Sequence, residues 1–211
     1  MLGAGVLGFG EFKTKSGRLS PYFINCGNYK TGSQMLALGK FYSSMIKETV
    51  GDDFSAIFGP AYKGIPLAAV TSASLADLYS IDKPYFFNRK EAKDHGEGGS
   101  IVGYRPAKND KLIIVEDVIT AGTAVGESMA LLSNFEGVTV SDMFITVDRC
   151  EFGAEGTKTA VEEVKEKYGI KVHSIVNVFD IYSYIGENGL FTEYIPAMER
   201  YMNRYCSAAL K

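Results

Sequence analysis

The sequence predicts an α/β fold, a central and mainly parallel sheet flanked by helices. Two observations carry that prediction. Short apolar runs alternate along the chain with segments of helical apolar spacing, the pattern left by parallel strands and their crossover helices. Two of those runs, in "FGPAYKG" and "IIVEDVITAGTA", pass directly into turns of small, polar residues and then into helical spacing. In a parallel α/β sheet such turns lie at the carboxyl ends of the strands, where ligands bind.

Taken in order, Met35 to Val50 carries Leu36, Leu38, Phe41, Met45 and Ile46 at helical spacing and reads as a helix. "FSAIFGPAYKGIPLAAV" gives a strand ending near Phe58, a Gly-Pro turn, and a helix from about Ile65 to Leu78. "PYFFNRK" is a short strand running into "EAKDHGEGGS", which is too polar and glycine-rich to pack. Leu112 to Val115 reads as a strand buried on both faces, which puts Glu116 and Asp117 in the turn before a helix that starts at Gly122 and carries Val125, Met129 and Leu132. "VTVSDMFITVDR" and "KVHSIVNV" are further strands, separated by a charged helix from about Thr157 to Tyr168, and the C-terminal segments are helical. His173 alternates with Val172 and Ser174 in its strand and reads as structural.

Composition narrows the class. The chain has 211 residues, 46% hydrophobic and 22% charged, enough apolar content for one large domain over 1–211 with a proper core. A net charge of -3 argues against a general polyanion binder, so anion binding must be local and no nucleic-acid partner is expected. Cys26, Cys150 and Cys206 are odd in number and form no Cys-x-x-Cys pair, which fits reduced thiols in the cytoplasm. No apolar run reaches the roughly 20 residues of a membrane helix, and "MLGAGVLGFGEF" lacks the basic start of a signal peptide. Gly3, Gly5 and Gly8 spell G-x-G-x-x-G, but the dinucleotide fingerprint needs a strand before it, and none fits here.

The chemistry concentrates after the Leu112 run. Backbone N–H groups of "TAGTA", the hydroxyls of Thr120 and Thr123 and the start of the next helix make an anion cradle suited to a phosphate, with Gly122 allowing close backbone approach. Glu116 and Asp117 would repel that phosphate unless they hold sugar hydroxyls or magnesium. Acids near a helix N-terminus also complement its dipole, but one suffices for that. The combination points to a ribose phosphate.

"IIVEDVITAGTA" resembles the phosphoribosyl pyrophosphate signature of the type I phosphoribosyltransferases. "FGEFKTKSGRLSPYF", "FGPAYKGIPLA" and "FNRKEAKDHGEGG" resemble segments of the orotate phosphoribosyltransferase family, in the same order and at matching spacing. The resemblance implies the type I fold with a small N-terminal hood and a mobile lid loop, and transfer of phosphoribose from phosphoribosyl pyrophosphate to orotate with Mg2+. It also implies a homodimer whose lid, Arg89 to Ser100, is shared between subunits. By the same resemblance Glu116 and Asp117 would hold the ribose hydroxyls, with magnesium held mainly through substrate near them, and Thr120, Ala121, Gly122, Thr123 and Ala124 the 5′-phosphate, with Val118 and Ile119 leading into that loop. Lys15, Tyr62, Lys63, Arg89, Lys90, Lys93 and His95 would meet the pyrophosphate, with Arg89, Lys93, His95 and Asp117 closest to catalysis. Phe23, Ile24, Thr120 and Arg149 would lie near orotate. Two departures stand out: many members carry two aromatics where this chain has Phe23 and Ile24, and the family usually has a helix before "GVLGFGEF". The rival readings are a nucleotide-sensing regulator, which should show a basic face, and a transferase for another base. A fused decarboxylase is not expected in 211 residues.

Overall fold

A computed structural model describes residues 1–14, 17–90, 100–119, 123–153 and 156–207. Strands β1 (Leu7–Lys13) and β2 (Leu19–Ile24) form an antiparallel hairpin. Then come α1 (Gly32–Thr49), β3 (Ala56–Phe58), α2 (Gly64–Tyr79), β4 (Tyr85–Asn88) and β5 (Ile101–Gly103). They are followed by β6 (Lys111–Val118), α3 (Thr123–Leu132), β7 (Thr139–Asp148), α4 (Ala160–Tyr168), β8 (Lys171–Asn177), α5 (Val178–Glu187) and α6 (Ile195–Tyr205). The main sheet has the order β5-β4-β3-β6-β7-β8, parallel throughout except for the antiparallel edge strand β5.

That order bears out the expected mainly parallel sheet and locates its ligand crevice. After β3 the chain moves outward to β4, but after β6, which pairs with β3 on the other side, it moves the opposite way to β7. The strand order reverses between β3 and β6, and the crevice at such a reversal opens at the carboxyl ends of the two strands. Alternation along the strands fills both faces. Ala56, Phe58, Leu112 and Ile114 join the α3 and α4 side of the core, while Ile57, Ile113, Val115 and Phe144 pack under α1 and α2. A third cluster joins β2 and the end of β7 to α5 and α6, through Tyr22, Val147, Ile181, Met198 and Tyr201.

Local chemistry moves several boundaries. α1 starts at Gly32 rather than Met35 because Thr31 and Gln34 form a reciprocal capping box. α4 starts at Ala160 because Thr159 caps it in the same way with Glu162. β6 runs on through Val118, so Glu116 and Asp117 sit in the strand and not in the turn. Pairing of Glu116 with Ile145 and of Val118 with Val147 on β7 continues the ladder and overrides the poor strand propensity of acids. His173 accepts its expected structural role, stacked on Phe144 at 5.0 Å between centroids and hydrogen-bonded to Asp142 at 2.8 Å. No helix among the described residues is long and apolar enough to cross a membrane.

The α1–α2 contact rests on Gly39. A Cβ built there would lie 2.6 Å from Ser74 Oγ, 2.8 Å from Val70 Cγ2 and 2.9 Å from the Val70 carbonyl oxygen, closer than carbon and these atoms approach. Gly39→Ala must push the helices apart, at about 1–3 kcal/mol of overpacking against less than 1 kcal/mol gained in helix propensity. At this chain length about 2–4 °C of Tm is lost per kcal/mol. Gly32→Ala, with open space around its Cβ, is the control. A thermal melt in which the two variants match would show that the helix contact yields freely.

Candidate active site

The crevice is built on two strand ends. β3 passes through Gly59 and Pro60 into α2, and the turn is tight because Gly59 has no side chain: a Cβ there would lie 2.2 Å from the Gly64 carbonyl oxygen. Asn88, at the end of β4, accepts a hydrogen bond from the Ala61 amide at 2.8 Å and so ties the turn to the neighbouring strand. Lys63 is thereby held at the start of α2, its side chain about half exposed, with Nζ 2.6 Å from Asp117 Oδ2 on β6. This ion pair spans the reversal point of the sheet.

Successive residues of β6 serve opposite sides of the crevice. Asp117 meets Lys63, and its Oδ1 accepts the Val118 amide at 2.9 Å. Glu116 lines a cleft under the start of α3 with Pro60, Val118, Ile119 and Ala124, and its Oε1 accepts the Asp117 amide at 2.9 Å. Below them, Tyr42 of α1 donates to the Glu116 carbonyl at 2.7 Å and lies 2.6 Å from Thr146 Oγ1, which fixes the strand end from the floor. Burial, then the charge of Asp117, raises the Glu116 carboxyl well above its ordinary range. For Lys63, burial opposes the charge, but the hydrogen bond and charge of Asp117 outweigh it and the ammonium is held above its ordinary value.

At the hood side, Arg149 follows β7 directly. Its guanidinium carbon lies 4.4 Å from the centre of the Tyr22 ring, Nε donates to Glu151 Oε1 at 2.8 Å, and Nη2 lies 2.6 Å from the same oxygen. Phe23 is exposed and stacks on Phe12 with centroids 5.4 Å apart, whereas Ile24, one residue on and facing the other way, packs on the hood core. Near the β4 end, Lys90 Nζ sits 5.6 Å over the ring of the exposed Tyr62.

A phosphoribosyl transferase domain model matches residues 25–149. The orotate phosphoribosyltransferase of Clostridium beijerinckii is 48% identical over 88% of this chain and 82% of its own length. That of Alteromonas mediterranea is 47% identical over 95% of this chain and 92% of its own. The chain belongs to the orotate phosphoribosyltransferase family. The crystal structure of the Francisella tularensis orotate phosphoribosyltransferase agrees, with a TM-score of 0.85 at 37% identity over 98% of this chain and 96% of that one. The central sheet with flanking helices is the type I phosphoribosyltransferase fold that such neighbours share.

Set against the family motifs, the fold brings Lys63, Glu116, Asp117, Val118, Ile119 and Ala124 to one crevice, with Tyr62 and Lys90 at its β4 side and Arg149 toward the hood. Lys15, Lys93, His95, Thr120, Ala121 and Gly122, and the side chain of Thr123, lie outside the described residues. Arg89 is described, its amide donating to the Ser100 carbonyl at 2.8 Å. The sequence reading missed Asn88, Tyr42 and Glu151. Only Asn88, one residue before the basic Arg89-Lys90 pair, lay inside a motif that could have drawn attention to it.

The raised Glu116 carboxyl has a stability consequence of definite sign. The folded chain binds this proton more tightly than the unfolded chain, so the group favours folding at low pH and costs stability as pH rises past the ordinary carboxyl value of about 4.3. Glu116→Gln removes that cost. The unliganded variant should melt above the parent at pH 7 to 8, by about 2–4 °C per kcal/mol relieved, with the gap closing near pH 4. A gap independent of pH would mean that the buried acid ionises without penalty.

Proposed function

We propose that this chain transfers the phosphoribosyl group of 5-phosphoribosyl 1-pyrophosphate to orotate, giving orotidine 5′-monophosphate and pyrophosphate, with residues 1–211 acting as one transferase domain. The observation that carries the reading is the acid pair at the end of β6, one member held by Lys63 across the sheet's reversal point. Glu116 and Asp117 bind the ribose hydroxyls as acceptors, and Thr120 to Ala124 cradle the 5′-phosphate at the start of α3. Breaking the bond to pyrophosphate puts positive charge on the sugar and negative charge on the leaving group, so fixed cations around that group stabilise the transition state. Lys63 keeps two N–H donors beyond its bond to Asp117, and Lys15, Tyr62, Arg89, Lys90, Lys93 and His95 complete the surround. Orotate lies toward Phe23, Ile24, Thr120 and Arg149, where a planar guanidinium suits its carboxylate and ring oxygens.

Magnesium fits this donor set in one mode. No group of three or more His, Cys, Asp or Glu among the described residues could hold a metal ion. Mg2+ commonly keeps its waters and binds through one or two carboxylates plus substrate phosphates, and Glu116 and Asp117 offer such a pair. Bound there through substrate, it supplies Lewis-acid stabilisation of the leaving group. Three free thiols are the ground for a cytoplasmic location.

Two experiments test the reading. Pyrophosphate release should respond far more strongly to orotate than to uracil or hypoxanthine. Within that assay, Arg149→Ala should raise the orotate KM strongly, a loss of about 2–5 kcal/mol for a desolvated charge pair, while phosphoribosyl pyrophosphate binding is nearly intact. Equal damage to both substrates would make Arg149 structural.

The assembly reading is a homodimer in which segment 89–100 of one subunit serves the site of the other, as its length and polar composition suit. Lys93→Ala and Asp117→Asn chains are mixed in equal amounts and allowed to exchange. Half the dimers are then mixed, and a shared lid leaves each of them one intact site, so activity should recover to about a quarter of the parent. A lid that serves its own subunit leaves a defect in every site. With exchange confirmed, activity no higher than the average of the two variants would reject the sharing.

A further inference from the structure

Arg149 is held from one edge only. Nε donates to Glu151 Oε1, Nη2 lies in ion-pair contact with the same oxygen, and Nη2 also donates to Ser20 Oγ at 3.3 Å and the Tyr201 hydroxyl at 3.4 Å. Nη1 makes no hydrogen bond to any described residue. The carboxylate doing the holding is fixed in turn: Tyr201 donates to its Oε1 at 2.8 Å, and Arg18 Nη1 donates to its Oε2 at 3.0 Å. Arg18 is itself anchored by a bond from Nη2 to the Phe152 carbonyl at 3.1 Å. Glu151 is about 14% exposed in its side chain and Arg149 about 13%, so the group is a desolvated network rather than a solvated surface pair.

The arrangement does more than neutralise a charge. A guanidinium can turn about its side-chain bonds, and a substrate carboxylate is recognised only when the free N–H groups face it in plane. Glu151 takes the Nε edge and the Tyr22 ring covers one face, which fixes the plane of the guanidinium and leaves Nη1 without a hydrogen bond to any described residue. We propose that Glu151 is a positioning residue for the base-binding step, presenting Nη1 of Arg149 to the orotate carboxylate, with Arg18 and Tyr201 holding Glu151 in register. This rests on the reading of Arg149 as an orotate contact.

The test compares orotate with uracil, the same ring without the carboxylate. Glu151→Gln keeps the shape and one acceptor but removes the charge. It should raise the orotate KM about tenfold, as misorientation of a binding group does, leave the phosphoribosyl pyrophosphate KM within about twofold, and lower the preference for orotate over uracil. Tyr201→Phe keeps the ring packing and removes one donor to Oε1, so it should shift the same three quantities in the same direction by a smaller factor. It carries the test alone if Glu151→Gln does not fold. A purely structural role would lower turnover on both bases alike and leave their ratio unchanged, and that result overturns the proposal. Arg149→Ala separates the two readings: without an orotate-selective effect there, the Arg149 assignment itself fails. Selectivity lost in Arg149→Ala but kept in Glu151→Gln and Tyr201→Phe would reject Glu151 alone.

Discussion

The parallel pairing of β3 with β6 is the constraint on which the rest of this structure depends. Ala56, Ile57 and Phe58 pair in register with Leu112, Ile113 and Ile114, and all six side chains are buried. Because the chain leaves β3 in one direction and β6 in the other, no crossover helix among the described residues runs between the ends of these strands. The opening is therefore a product of topology, and the side chains there are aimed by a packed core. Lys63 and Asp117 meet at 2.6 Å because their strands are locked together below them, not because the two residues are close in sequence.

The same packing accounts for the site's electrostatic cost. Two adjacent acids at the end of a strand covered on both faces are poorly solvated, and the protein offsets this unequally. Asp117 meets a lysine and accepts a backbone amide, while Glu116 accepts the Asp117 amide and has its carboxyl raised by burial. On the proposed reading, Glu116 accepts from a ribose hydroxyl, and substrate binding offsets the cost of burying its carboxyl.

What could be read in the sequence divides along a physical line. β6, β7 and β8 and the helices between them announce themselves through local periodicity, since that signal lies within a few residues. The hairpin β1–β2 and the edge strand β5 do not. "LGFGEFK" has two glycines, "LSPYFI" has a proline, and Ile101–Gly103 is three residues long, so each is a strand only because of what it pairs with. The extension of β6 through the two acids is a tertiary override of the same kind. Glu151 was beyond reach for a related reason: its partner Arg18 is 133 residues away, and a lone glutamate after a strand carries no local sign of that.

The two halves of the site also differ in how rigidly they are supported. The proposed sugar and phosphate end stands on the central sheet, where the strands are buried on both faces. The proposed base end stands on a two-stranded hairpin, which is marginal alone, and on its packing against α6 through Tyr22 and Tyr201, whose rings meet edge to face at 5.9 Å. The network of Arg18, Glu151, Arg149 and Tyr201 joins hairpin, sheet and helix in one polar unit, so the hairpin is held to the sheet partly by residues proposed to flank the base pocket. On the proposed reading, loosening the C-terminal helix therefore acts on base recognition before it acts on the ribose end, because Arg149 loses its orienting partners while the β3–β6 core is untouched.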